Sequence, residues 1–254
     1  MTLRRFRRAV ALVFVLALSI VRYWLRRLRG PLSLEDRALW LQRAARSVLI
    51  SVGIGSRVEG EPPSCGLVVS NHLSYLDIII FSAAMPCFFV AKAEIRGWPF
   101  FGKAARTGGT IFVDRSSLAS AMSVAEQMSE RLKLPVPVLL FPEGTSTDGA
   151  QVLRFHSRLI DPATSGGIPI TAAAIRYELA GGVEERELCW YGNEGFTPHL
   201  WKVLGVEGFS AKLHFGEPKI YTDRRVAADE THAEITAWRE ANVPADAQGE
   251  LTLQ

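Results

Sequence analysis

The chain has 254 residues, 48% of them hydrophobic and 22% charged, with a net charge of +3 and a mean hydropathy of +0.12. That composition excludes a disordered chain, and the length suits one large folded domain or two small ones. Residues 1–30 hold eight arginines and no acid, so the other 224 residues carry 21 basic against 26 acidic side chains; a mildly acidic body with a basic, apolar end excludes nucleic acid as partner and points to an anionic lipid surface.

Between the arginine clusters runs AVALVFVLALSIV, residues 9–21, followed by Arg22, Tyr23 and Trp24. That run is shorter than the ~20 residues needed to cross a bilayer upright. A cleaved secretory signal would need a small-residue cleavage site, which is missing here. A crossing helix needs Arg22 to snorkel and the aromatics to sit at the interface. The favoured reading is a helix lying in one leaflet with its arginines on lipid phosphates.

Gly30 and Pro31 then make a turn, and Ser33 with Asp36 forms a capping box. Leu34, Ala38, Leu41, Ala45, Val48 and Leu49 recur near helical period. Residues 1–48 are expected to be a membrane-anchoring helical hairpin and 49–254 the catalytic body. A second helix that simply packs on the core is the alternative.

After residue 50, short apolar runs alternate with longer amphipathic stretches. Strands are expected over 49–57, 67–70, 87–91, 110–113, 136–141, 168–175, 187–191 and 211–215. Helices are expected over 75–84, 99–106, 118–133, 198–204 and 229–240. This alternation predicts an α/β fold, a mostly parallel central sheet flanked by helices, with ligands gathered beyond the carboxyl ends of the strands. Cys65, Cys87 and Cys189 lack metal-ligand or redox spacing and read as reduced core residues.

Four motifs follow strands. NHLSYLD, residues 71–77, sets His72 five residues before Asp77. Positions five apart lie about 140° apart around an ideal helix, so His72 reaches Asp77 only from before or at the cap, which Asn71 or Ser74 can supply. In that geometry the carboxylate fixes the imidazole tautomer and leaves the other nitrogen as a proton acceptor. Taken alone, the motif is better explained as a capped corner with a satisfied histidine. GGTIFVDR, residues 108–115, delivers Asp114 and Arg115, an arginine able to grip phosphate or an ordinary solvated pair. FPEGTST, residues 141–147, places Glu143 at a strand end, Gly144 where a ligand can approach, and Thr145 and Ser146 as donors. GGIPITAAA, residues 166–174, reads as a buried strand.

Together, in this order, the four motifs resemble the glycerolipid acyltransferases of the lysophosphatidic acid acyltransferase (PlsC-like) family over roughly residues 50–215. His72 and Asp77 match its His-x-x-x-x-Asp block, Gly109 to Arg115 the second, Phe141 to Thr145 the third and Ile168 to Ile170 the fourth. The resemblance implies O-acyl transfer from acyl-CoA or acyl-carrier protein to the hydroxyl of a lysophospholipid, foremost 1-acyl-glycerol-3-phosphate, in phospholipid biosynthesis. It implies His72 as general base and Asp77 as its support. Lys92, Arg115, Glu143, Gly144, Thr145 and Ser146 would bind substrate, and backbone donors at the His72 corner would serve the oxyanion. No metal or cofactor is implied, and the place of work would be the cytoplasmic face of the cell membrane.

The chain departs from the family pattern in two places: the fourth block lacks a second proline, which bears on the pocket wall, and the third lacks an arginine. Where the family's third block has arginine after Gly-Thr, this chain has Ser146, which weakens the case for a phosphate monoester and sets a lyso-ornithine lipid or a head-group lysophospholipid beside it as acceptors. Lys92 and Arg115 could still serve lysophosphatidic acid. A membrane-bound thioester or lipid hydrolase shares the base; no Gly-x-Ser-x-Gly elbow is present. A lipid-binding scaffold is the reading without catalysis. His199, within 190–205, reads as core or interfacial.

Overall fold

The computed structural model describes residues 2–97, 101–114, 118–179 and 183–241. Helix α1 (Thr2–Arg27) is followed by α2 (Leu34–Val52), whose N-cap Ser33 accepts the Asp36 amide at 3.1 Å. The two helices run back along each other. The Trp40 indole donates to the Ser19 carbonyl at 2.9 Å, and Arg26 reaches Asp36 at 3.5 Å.

Seven strands form one sheet: β1 (Ile54–Glu59), β2 (Leu67–Ser70), β3 (Phe88–Lys92), β4 (Ile111–Val113), β5 (Val138–Leu140), β6 (Ile170–Leu179) and β7 (Phe209–Phe215). Their order is β1-β7-β6-β2-β5-β3-β4, parallel throughout except for the antiparallel β6 and β7 pair. The remaining helices are α3 (Tyr75–Ala84), α4 (Phe101–Thr107), α5 (Leu118–Leu132), α6 (Asp161–Ser165), α7 (Phe196–Gly205) and α8 (Arg224–Ala241).

Alternation along each strand divides the core into two layers. Val68, Phe89, Leu139, Ala173 and Ile175 face α2, α3 and α7, whereas Leu67, Val69, Phe88, Val138, Leu140 and Ala172 face α5, α6 and α8. Central strands buried on both faces explain why the sequence shows continuous apolar runs there. The fold is therefore the α/β fold expected, with its mostly parallel sheet covered by helices.

Helix α2 is part of this core as well as of the hairpin: Ala45, Leu49 and Val52 pack in the layer that holds Ile80 and Phe81. The expected strand at 49–57 begins later, because the helix continues through Ile50 and Val52 until Gly53, at φ 71, ends it in the left-handed conformation. The expected strand at 187–191 does not form. Leu188 and Cys189 are fully buried, but the main chain of Trp190 donates to the Leu73 carbonyl instead of to a strand neighbour. Cys87 is buried like Cys189, whereas Cys65 is exposed.

The first-helix arginines also differ from expectation. Arg8 is buried and donates to the carbonyls of Leu204, Val206 and Glu207, and Arg4 donates to that of Gly205 at 3.1 Å. These two guanidinium groups satisfy the carbonyls at the end of α7, where the helix dipole is negative, so they are not available to lipid phosphates.

Candidate active site

Strands β2, β5, β3 and β4 are neighbours and parallel, so their carboxyl ends meet at one edge. His72 leaves the end of β2, Lys92 ends β3, and the 141–147 turn follows β5. Arg115, expected beside them after β4, lies outside the described residues.

The corner after β2 is held by main-chain bonds. The Asn71 amide side chain donates to the Ile175 carbonyl at 3.1 Å and accepts from the Ile175 amide at 2.9 Å, tying β2 to β6. Ser74 is the N-cap of α3. Asp77, fully buried in the first turn, completes a capping box. Its Oδ2 accepts from the Ser74 amide at 3.0 Å, the Leu73 amide at 2.7 Å and His72 Nδ1 at 2.8 Å. Its Oδ1 accepts the hydroxyl of Tyr177. His72 thus sits two residues before the cap, as the five-residue offset requires, and Nδ1–H on Asp77 leaves Nε2 as the proton acceptor.

Glu143 is not on the wall of a cavity. It is 4% exposed, and its Oε1 accepts the His72 amide at 2.7 Å while Oε2 accepts the Leu153 amide at 2.9 Å. Burial pushes its carboxyl up to about 7 against the opposite pull of those two donors. Glu143 therefore braces the histidine's backbone, where the sequence suggested contact with substrate. The amides of His72, Leu73 and Ser74 are all engaged by Glu143 and Asp77, which removes them as oxyanion donors.

The imidazole stacks on Phe141, with ring centres 4.1 Å apart, and lies between two cavities. The smaller, about 220 Å³, is bounded by Lys92, Gly144, Thr145, Ser146, Trp190 and Tyr191. Gly144, at φ 72, gives the turn the left-handed step that a side chain would disfavour. The Ser146 hydroxyl donates to the Trp190 carbonyl and so ties this turn to the 190–192 loop. The larger cavity, about 420 Å³, is apolar and runs among α1, α2, α3 and α7, past Leu16, Leu41, Ile79, Phe196 and Leu200. Tyr75, on its wall, bonds the fully buried His199, which is a core residue as expected. Gly109, at φ 89, lies so close to Phe88 that a Cβ would stand 3.0 Å from its ring, which accounts for that glycine in the second motif. Among the described residues, no group of three or more His, Cys, Asp and Glu could hold a metal ion.

Sequence reasoning missed Tyr177 and Trp190. Tyr177 is 100 positions from Asp77 and arrives through the pairing of β6 with β2. No local pattern carries that information.

Base-assisted transfer of an acyl group between amphiphiles suits an imidazole set between a cavity of mixed lining and an apolar one, and the chain matches known proteins of that class. A model of the Acyltransferase family matches residues 58–176. A lyso-ornithine lipid O-acyltransferase of Pseudomonas aeruginosa is 33% identical over 189 residues, covering 74% of this chain and 71% of that one. A 1-acyl-sn-glycerol-3-phosphate acyltransferase of Neisseria meningitidis serogroup B is 32% identical over 184 residues, covering 71% and 72%. The crystal structure of the 1-acyl-sn-glycerophosphate acyltransferase PlsC from Thermotoga maritima shares the fold, with a TM-score of 0.69 at 18% identity over 94% of this chain and 96% of that one.

The chain belongs to the acyltransferase family, and it is an O-acyltransferase. Together with α1, a 26-residue helix long and apolar enough to cross a membrane, family membership indicates membrane association.

Proposed function

We propose that this enzyme moves a fatty acyl group from acyl-CoA or acyl-carrier protein to the free hydroxyl of a lysophospholipid, foremost 1-acyl-glycerol-3-phosphate, in phospholipid biosynthesis. The observation that carries the reading is His72, held by Asp77 at 2.8 Å and lying between the two cavities. The apolar cavity suits an acyl chain. The smaller one, of mixed lining, suits the acceptor head group, with Lys92 and the Gly144–Ser146 turn on its wall. His72 Nε2 takes the hydroxyl proton as the oxygen attacks the thioester carbonyl. The tetrahedral intermediate then collapses with cleavage of the C–S bond, and the imidazolium returns its proton to the thiolate. Asp77 stabilises the imidazolium meanwhile, as the carboxylate does in a Ser-His-Asp triad. The corner amides are engaged by Glu143 and Asp77, and the Gly144 amide is given to the Phe141 carbonyl at 3.1 Å. No cofactor or metal enters these steps.

A second acceptor, a lyso-ornithine lipid, is favoured by Ser146. Its hydroxyl is committed to the Trp190 carbonyl and adds no phosphate grip. Relatives named for that acceptor, in Pseudomonas aeruginosa and Rhodobacter capsulatus, are 33% and 36% identical.

Thiol release by membrane fractions, measured against a panel of lysolipids, tests the proposal. Release should require a lysolipid and fall by about 10³-fold or more in His72→Ala, given what loss of a general base costs. The preferred lysolipid separates the two acceptors. Fatty acid release that ignores lysolipid would make the enzyme a hydrolase. In this proposal residues 1–48 anchor the enzyme and 49–254 catalyse at the cytoplasmic face, with α2 (Leu34–Val52) running across the boundary into the core.

A further inference from the structure

Asp77 carries one negative charge with no exposure to solvent, and four donors share it. His72 Nδ1 and the amides of Leu73 and Ser74 take Oδ2, and the Tyr177 hydroxyl takes Oδ1. Tyr177 is 2% exposed, with its ring 5.5 Å from that of Phe209. Its amide donates to Glu185 Oε1 at 2.8 Å, so the hydroxyl has a fixed place. Burial and the adjacent carboxylate push the phenol well above its usual range, and it remains a donor wherever the enzyme works.

We propose that Tyr177 is a positioning residue that sets the proton affinity of His72: by donating to Oδ1 it draws charge from Asp77 and loosens the imidazole's hold on a proton, so that Nε2 is free to accept one from substrate. The inference rests on His72 being the base. A buried carboxylate that loses one donor presents more of its charge to those that remain. The two amides cannot answer by binding a proton, whereas His72 can. Without the hydroxyl, His72 holds its proton to higher pH and is spent as a base before substrate arrives.

Other ionisable groups face this cluster. Glu185 and Cys189 lie beside Tyr177 on the segment after β6, with Arg239 of α8 paired to Glu185 at 2.8 Å. Asp148 approaches Cys189 from the loop after β5. Glu143 holds the His72 amide and its carboxyl is pushed up to about 7, so the imidazole is followed directly as well as through activity. Its bonds run to two backbone amides and do not involve Tyr177.

The test uses the full chain in detergent micelles. In Tyr177→Phe the acidic limb of kcat/KM moves up by about one pH unit while both KM values stay within about twofold, because charge on the base changes and substrate contacts do not. The 13C-labelled imidazole of His72, assigned from its loss in His72→Gln, titrates higher by the same amount. Replacing Tyr177 with 3-fluorotyrosine, a stronger donor of nearly the same shape, moves both readings down, and it serves even if Tyr177→Phe fails to fold. A limb and an imidazole titration that stay in place overturn the assignment, as does activity that falls only with loss of folding. If His72→Ala keeps its turnover, the base reading itself fails; the imidazole titration still measures what Tyr177 does to His72.

Discussion

His72 stands two residues before the N-cap of α3, and Asp77 reaches back to it from the first turn. One carboxylate therefore closes the capping box and orients the imidazole, so the structural and the chemical accounts of NHLSYLD describe the same bonds. Glu143 is the residue whose place was least legible, since a glutamate at a strand end looks the same whether it faces substrate or backbone. Its buried carboxyl sits at about 7, above the usual 4.5. The folded state thus binds the extra proton between those values. The stabilising contribution is complete at and below the lower value and is lost as pH rises through 7. Denaturant unfolding in micelles at pH 5 and pH 8 should show a loss on the order of 3 kcal/mol in the native chain. That difference is expected to disappear in Glu143→Gln, and an unchanged slope would show that another group titrates.

At the scale of elements, the register of β6 against β2 assembles the site. Ala173 pairs with Ser70, so β6 runs on past the end of β2 to bring Ile175 to Asn71 and Tyr177 over Asp77. Helix α8 locks this extension: Arg239 donates to the Ile175 carbonyl at 2.6 Å, to the Gly149 carbonyl at 2.7 Å and to Glu185 at 2.8 Å. Arg239→Ala would leave Glu185 without its cationic partner at a site where both side chains are largely buried, at a cost of about 3–5 kcal/mol. Unfolding of Arg239→Ala, Glu185→Gln and the double variant checks this. The double variant should recover part of the loss, because the unpaired charge is gone. Strictly additive losses would mean that the pair is not coupled. The strand expected at 187–191 failed because the amides of Glu187, Leu188 and Cys189 close a local turn onto Glu184, Glu185 and Arg186, while that of Trp190 goes to Leu73 at the active-site corner, partners that alternation cannot reveal.

Across the whole molecule, α1 joins membrane, cavity and body. Arg4 and Arg8 hold its start on α7, Ser19 meets Trp40 midway, and Arg26 meets Asp36 near its end, so one face is docked along its length. Leu3, Phe6, Val10, Val13, Phe14, Val21 and Trp24 remain exposed on it, and Leu28 just past its end. A helix docked on one side and apolar on the other favours lying in one leaflet, the orientation proposed from the sequence. In a Cys65→Ser background, Leu3→Cys and Leu28→Cys place thiols at the two ends of α1. A membrane-impermeant maleimide is expected to label both from the same side of sealed vesicles. Labelling from opposite sides would make α1 a spanning helix.

The sequence by itself determined the α/β alternation, the basic apolar helix, the capped corner with His72 and Asp77, and the family. Each of these is written in local spacing: a period of two or 3.6, a five-residue offset, or glycines at turns. Only the tertiary structure decided that Glu143 braces backbone, that Arg4 and Arg8 close α7 instead of meeting lipid, and that Tyr177 completes the coordination of Asp77. Those roles depend on partners 71 to 201 residues away, brought together by strand register and helix packing. Local periodicity records which face of an element is buried, but not which distant polar group it will meet there.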